Sequence, residues 1–160
     1  MQNTIDQVKM RLLRAKQGLI HALDTTPDNR INWSPSPSSR TPIQQIAHAA
    51  WAVQSIHGTL DGRMFATETM EQADKEFREW EQQFSAREDV LNLLEQNCSN
   101  YTIWLDGLTP ERFYAKVEMP FKLGAMPIAD AVGFPADQII WHTAQLGYIQ
   151  TIYGDLDWHM

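Results

Sequence analysis

Four long segments of the sequence repeat their apolar residues at steps of three and four positions, the spacing that gathers side chains on one face of an α-helix. The alternation of apolar and polar residues that is typical of a β-strand is nearly absent. The pattern predicts an all-α fold, a four-helix bundle in which the apolar faces meet. These faces run over residues 5–23, 43–60, 91–108 and 136–153.

Local signals add detail to this bundle. Thr41-Pro42-Ile43-Gln44 is typical of a capping box with proline at the first helical position, and Ser85-Ala86-Arg87-Glu88 is interpreted as a second capping box. An amphipathic pattern over residues 73–84 predicts a short extra helix between helices 2 and 3. Prolines and glycines within residues 117–133 favour an irregular connection or a short hairpin before the last helix. We therefore expect one bundle domain over residues 1–160.

Charge and composition argue against several classes of protein. The formal net charge is −7 without a basic stripe, so no nucleic-acid partner is expected. The longest charge-free stretch, residues 42–60, carries Gln, His and Ser side chains, so no membrane span is predicted. The single cysteine, Cys98, lies in an apolar helix face and is predicted to be a core residue rather than a nucleophile. One thiol and the lack of a secretory leader predict a cytoplasmic protein.

Two histidines stand out because each lies in the middle of a helix, in an uncharged neighbourhood. His48 and His142 are on helices that a bundle can place side by side, and paired imidazoles are the usual basis of a metal site in a bundle core. The alternative is that each is a hydrogen-bonded core residue. His57 lies nine positions from His48, on the other side of the same helix, and is predicted to be buried, neutral and hydrogen-bonded.

A third ligand is harder to find, since a chelating pair on one helix needs a spacing of three or four residues. From His142 these positions are Gln145, which offers an amide oxygen, and Leu146, which offers nothing. The predicted metal set is therefore His48, His142 and Gln145. Apolar walls of the cleft are predicted from three tryptophans, for which packing into the core is the alternative: Trp33, Trp51 and Trp141.

Three short motifs resemble the DinB-like superfamily of bacterial four-helix bundles, which includes YfiT-type bacillithiol transferases and mycothiol-dependent isomerases. They are Asn32-Trp33-Ser34-Pro35, the segment 40–48 and the segment 141–149. The resemblance implies a divalent ion, Zn²⁺ or Ni²⁺, held by one histidine of the second helix and a His-x-x-x-His pair of the last. His48 and His142 match two of these ligands, whereas the third falls on Leu146, or on Gln145 in an alignment one residue shorter.

The resemblance implies two classes of function. One is a metal-dependent hydrolase or thiol S-transferase that acts on a small molecule or a low-molecular-weight thiol and forms a homodimer. The other is a non-catalytic bundle that binds a small molecule around a degenerate metal site. The missing third histidine favours the second class, and the family chemistry favours the first.

Overall fold

A computed structural model describes residues 1–65, 67–157 and 159 of the chain. The four long helices predicted from the apolar pattern are present, and the short extra helix lies between the second and third of them. The helices are α1 (Gln2–Asp24), α2 (Pro42–Leu60), α3 (Met70–Glu81), α4 (Arg87–Asp106), α5 (Pro110–Tyr114), α6 (Ile128–Ala131) and α7 (Phe134–Ile152), and the strands are β1 (Lys116–Glu118) and β2 (Ala125–Pro127).

The bundle consists of α1, α2, α4 and α7. Helix α2 packs against both α4 and α7, while α1 packs mainly against α7 and also against α4. Small side chains on α2 let these backbones approach closely from more than one side, and Ala47, Ala49 and Ala50 are completely buried. As a result, α2 presents side chains to α4 on one side and to α7 on another.

The start of α2 is fixed by the capping box predicted at Thr41. The Thr41 hydroxyl accepts a hydrogen bond from the backbone N–H of Gln44 at 3.2 Å, and the Gln44 amide oxygen accepts one from the backbone N–H of Thr41 at 2.9 Å. Pro42 occupies the first turn, where its missing N–H has no helical partner to lose. This start fixes Arg40 just before the N-cap and Gln45 and His48 in the first two turns of α2.

The second predicted capping box, at Ser85, is wrong. Helix α4 begins at Arg87 with Ala86 in the N-cap position, and no side chain caps it. The Ser85 carbonyl instead accepts a hydrogen bond from Asn32 Nδ2 at 3.0 Å, so Ser85 joins the preceding loop to the helix start. The predicted N-cap is therefore displaced by one residue from the observed one.

The connection between α4 and α7 contains the short hairpin that the sequence left open as one alternative. Strands β1 and β2 pair in antiparallel fashion, with Val117 opposite Met126. The turn between them places Phe121 and Lys122 at positive φ, both at 59°. Within the described ranges, no helix is both long enough and apolar enough to cross a membrane.

Candidate functional site

The imidazole rings of His48 and His142 lie against each other at the contact between α2 and α7. Their ring centroids are 4.8 Å apart, and the two planes meet at 61°, an edge-to-face arrangement. Helix packing brings them together although they are 94 positions apart in the chain. The two histidines singled out in the sequence therefore share one location.

The ring of His48 is held by a buried carboxylate. Its Nδ1 atom lies 2.5 Å from Oε1 of Glu81, the last residue of α3, whose side chain is only 1% exposed. A carboxylate accepts hydrogen bonds, so the Nδ1 atom carries a proton. The second oxygen of Glu81 accepts a hydrogen bond from Arg40 Nε at 2.6 Å. In the neutral ring, the lone pair of His48 is therefore on Nε2.

The ring of His142 is held in a comparable way by an amide. Its Nδ1 atom lies 2.7 Å from Oε1 of Gln45, and the residue is 6% exposed. Burial, together with the positive charge that His48 and Arg40 can carry, lowers the pKa of His142 to about 3, and the nearby side chain of Gln145 acts more weakly in the opposite direction. The ring is thus neutral at pH 7, donates from Nδ1 to Gln45 and keeps its lone pair on Nε2.

Alternating charges continue from the site across the surface of α3. Arg40 Nη2 donates to Asp74 Oδ1 at 2.9 Å, and Arg78 Nε donates to Asp74 Oδ2 at 2.7 Å. Burial acts to lower the pKa of Arg40, but its hydrogen bonds to Glu81 and Asp74 outweigh this and raise it. Burial likewise acts to raise the pKa of Asp74, and the two arginines lower it instead. Together these contacts form a continuous row of ion pairs, which ties α3 to the start of α2.

Aromatic side chains form the other wall of the site. The ring centroid of His48 lies 5.5 Å from that of Phe77 and 6.3 Å from that of Trp51, and Trp51 and Phe77 are 3.7 Å apart. Phe65 extends this wall, with its ring 5.7 Å from that of Trp51. The imidazole of His48 is therefore placed between a buried ion pair and an apolar surface.

The three tryptophans predicted to line the cleft lie in different places. Trp51 lies beside His48, as described. Trp33 packs edge-on against Tyr153 at 6.1 Å, with the guanidinium of Arg30 5.0 Å from its ring centroid. Trp141 is 63% exposed on the outer surface of α7. The structure thus brings one of the three to the imidazole pair.

The fit of a metal ion depends on the donors that remain free. Neither Nε2 atom of His48 and His142 has a hydrogen-bond partner among the described residues, so two imidazole lone pairs are available. Leu146 lies one helical turn after His142 and is completely buried in the core, while Gln145 is exposed and near enough to His142 to influence its pKa. Across residues 1–65, 67–157 and 159, no three His, Cys, Asp or Glu side chains are grouped to hold an ion. The donors fit an ion bound by two imidazoles and completed by an amide or water, not a three-histidine centre.

The prediction for His57 is wrong in part. Its ring is half-buried rather than buried, and it lies between Tyr101 at 5.6 Å and Trp104 at 5.3 Å. No hydrogen bond of its ring is present within the described part of the chain. Burial, with the nearby charge of Arg63, lowers the pKa of His57 and favours the neutral ring. An edge-on contact with Tyr101 and a tilted contact with Trp104 take the place of the expected hydrogen bond.

Sequence reasoning missed Glu81, although the sequence carries a signal for it. Ala73, Phe77 and Glu81 follow each other at steps of four residues, so the carboxylate lies on the same face of α3 as the two apolar side chains. A glutamate on the buried face of an amphipathic helix needs a charged or hydrogen-bonding partner. Those partners, Arg40 and His48, come from another helix and its cap.

Comparisons with known proteins agree with this architecture. The family model of the DinB superfamily matches residues 11–146. No curated protein sequence matches the chain. The structure of YfiT from Bacillus subtilis, described as a probable metal-dependent hydrolase with an unusual four-helix bundle topology, superposes with a TM-score of 0.70 at 18% identity and covers 94% of this chain and 87% of YfiT. A conserved protein from Enterococcus faecalis superposes with a TM-score of 0.69 at 14% identity, covering 93% of this chain and 96% of that one.

Proposed function

The chain belongs to the DinB superfamily, and from this we propose that it is a metal-dependent enzyme acting on a small molecule, as a hydrolase or a thiol S-transferase. His48 and His142 are the protein ligands of the ion in this proposal, and Gln145 is the third contact. One observation carries the proposal. The Nδ1 atoms of both rings are bound to side-chain oxygens, so both free lone pairs are on Nε2 atoms of adjacent rings.

This arrangement is the one that metal-ligating histidines usually have. A histidine that binds an ion through one ring nitrogen almost always donates a hydrogen bond from the other, which fixes its tautomer and orientation. Glu81 does this for His48, and Gln45 does it for His142. The low pKa of His142, about 3, keeps that ring available as a neutral ligand at pH 7.

The chain's own residues have separate roles in this chemistry. Lewis-acid activation of a substrate oxygen or sulfur is what a bound Zn²⁺ or Ni²⁺ would supply. Glu81 accepts the Nδ1 proton of His48 and holds the ring in place, and Arg40 balances the charge of that carboxylate. Trp51 and Phe77 cover part of the His48 ring with apolar surface and limit the access of water to it.

A second candidate function is a non-catalytic bundle that binds a small molecule. The observation that favours it is that neither position to which the resemblance assigns the third histidine holds one, since Leu146 is a completely buried apolar side chain and Gln145 offers only an amide. Two imidazoles hold an ion more weakly than three, so the pocket could remain while turnover is lost.

Metal content separates the two candidates. Untagged protein produced in medium supplemented with Zn²⁺ or Ni²⁺ is expected to contain close to one ion per chain by mass spectrometry. His48→Ala and His142→Ala should each lose it, whereas His57→Ala, which alters a histidine on the other side of α2, should keep it. Wild-type protein without metal after supplementation would contradict the enzyme proposal and favour the binding module.

We also propose a homodimer in the cytoplasm, with α7 at its interface. Trp141 is 63% exposed on the outer surface of α7, and the neighbouring Ile140 is 41% exposed. An exposed surface of this kind is typical of a contact between copies. Trp141→Glu should shift the sedimentation coefficient from that of a dimer to that of a monomer, and an unchanged monomer in both proteins would contradict the proposal.

A further inference from the structure

A cavity of about 510 Å³ lies beside the histidine pair, between the end of the loop before α2 and the last helix. Gln45 forms part of its wall, and the same side chain accepts the hydrogen bond of His142. The volume is within the range of pockets that bind small molecules, about 300–1,000 Å³. A ligand in this cavity would therefore be separated from the imidazole of His142 by one side chain.

The charge on the cavity wall has one sign. Arg40 and Arg78 are the charged side chains among the described residues that line it. Their ion-pair partners, Glu81 and Asp74, lie on the α3 side of the guanidinium groups and do not line the cavity. The cavity wall therefore carries two guanidinium groups, and the carboxylates that fix their positions lie outside the wall.

Both arginines have N–H groups that remain free to donate a hydrogen bond to a ligand. A guanidinium carries five N–H groups. Arg40 uses Nε and Nη2 for Glu81 and Asp74, and Arg78 uses Nε for Asp74 and Nη1 for the carbonyl of Ser38 at 2.9 Å. Within the described part of the chain, Nη1 of Arg40 and Nη2 of Arg78 make no hydrogen bond. Planar guanidinium groups with free N–H donors recognise carboxylates and phosphates.

The remaining wall mixes apolar and polar side chains. Pro35, Tyr148, Ile149 and Ile152 supply its apolar surface, and Ser38, Ser39 and Gln145 add polar groups. Apolar side chains with a few placed polar groups are typical of a site that binds an organic molecule rather than an inorganic ion. A ligand that matches both halves of the cavity has an anionic group and an apolar body.

We propose that this cavity binds the anionic group of the substrate, so that the substrate is a small organic carboxylate or phosphate ester with an apolar part. Arg78 and Arg40 bind its charge, and Gln45 separates the bound molecule from His142. The identification of the ligand as the substrate rests on the proposed function, whereas the anion site itself does not.

The test uses three probes of similar shape, phenylacetate, phenyl phosphate and the neutral phenylacetamide. Full-length protein is first treated with a chelating resin, so that no probe can bind through a metal. We expect at least one anion to bind at least tenfold more tightly than phenylacetamide by calorimetry, and the tighter of the two identifies carboxylate or phosphate. Arg78→Gln should weaken the binding of that anion at least tenfold. Arg78→Lys keeps the positive charge and should weaken the binding less. Arg14→Gln, at an exposed arginine of α1, should have no effect.

Each outcome decides the proposal. The proposal is overturned if phenylacetamide binds as tightly as the anions, or if neither anion binds. It is also overturned if a folded Arg78→Gln protein binds the anion as tightly as the wild type. Titration of the same variants with Zn²⁺ distinguishes this failure from failure of the proposed function. If the protein binds Zn²⁺ but neither anion, only the cavity assignment is wrong. If it binds an anion but no Zn²⁺, only the metal-dependent chemistry is wrong.

Discussion

The Nδ1 atom of His48 lies 2.5 Å from a carboxylate oxygen of Glu81, a side chain that is almost entirely buried. This contact joins the candidate site to the stability of the fold, because the same carboxylate pairs with Arg40 at 2.6 Å. A buried charge is tolerated when its partners are in place and is costly when one is removed.

Glu81→Gln is therefore expected to destabilise the protein. The amide cannot balance the charge of Arg40, whose side chain is largely buried, so the free energy of unfolding should fall by about 2–4 kcal/mol. Urea denaturation measures this change. Glu79→Gln, at an exposed glutamate of the same helix, should change it by less than about 0.5 kcal/mol. Equal effects of the two substitutions would mean that the buried pair has no special role.

The low pKa of His142 predicts how stability depends on pH. The folded-state pKa of about 3 lies below the value of about 6.5 for an unfolded imidazole, so between these values only the unfolded chain binds the proton. Stability is thus highest above pH 6.5 and falls as the pH drops, by up to about 1.4 kcal/mol per pH unit from this group.

Urea denaturation of metal-free protein across this pH range checks the prediction. His142→Gln should show a shallower dependence of unfolding free energy on pH than the wild type. His21→Gln alters an exposed histidine of α1 and should keep the wild-type slope. A slope that is the same in all three proteins would contradict the assignment of a low pKa to His142.

The fold was predictable because its determinants are local and periodic. The apolar stripes predicted the four long helices. The capping box at Thr41 could be predicted because all of its atoms belong to four consecutive residues. The start of α4 could not be predicted in this way, since no side chain caps it and Ser85 contacts Asn32, far away in the sequence. The structure also brings His48 and His142 together, as two mid-helix histidines suggested.

The surroundings of the site could not be predicted in the same way. Glu81, Arg40 and Gln45 acquire their roles from the angle at which α3 and α7 meet α2, and no residue spacing encodes that angle. His57 shows the same limit, since its position in an apolar stripe did not reveal that Tyr101 and Trp104 would flank it. Whether the set His48, His142 and Gln145 holds an ion stays a prediction.

Cys98 is expected to be chemically inert in the folded protein. Burial raises the pKa of its thiol to about 12, with Glu95 acting in the same direction and Lys16 against it. Since the thiolate is the reactive form, the reaction with Ellman's reagent at pH 8 should be at least about 100-fold slower in native buffer than in urea. A rapid reaction in native buffer would mean that Cys98 is accessible and that the face of α4 opens.

The last prediction tests which position of α7, 145 or 146, corresponds to the family's third histidine. Leu146 lies one turn after His142 on the same buried face, so Leu146→His places a third imidazole within chelating reach of the pair. Without metal, the buried polar ring should lower the unfolding free energy by about 2–4 kcal/mol. With metal, a third imidazole should tighten the binding of Zn²⁺ or Ni²⁺ by at least about tenfold, or roughly 1.4 kcal/mol. Calorimetric titration measures the binding.

Gln145→His tests the alignment that is one residue shorter. Because Gln145 is exposed, this substitution should cost little stability. The variant that binds more tightly identifies the register, and if neither does, the enzyme proposal gives way to the binding module.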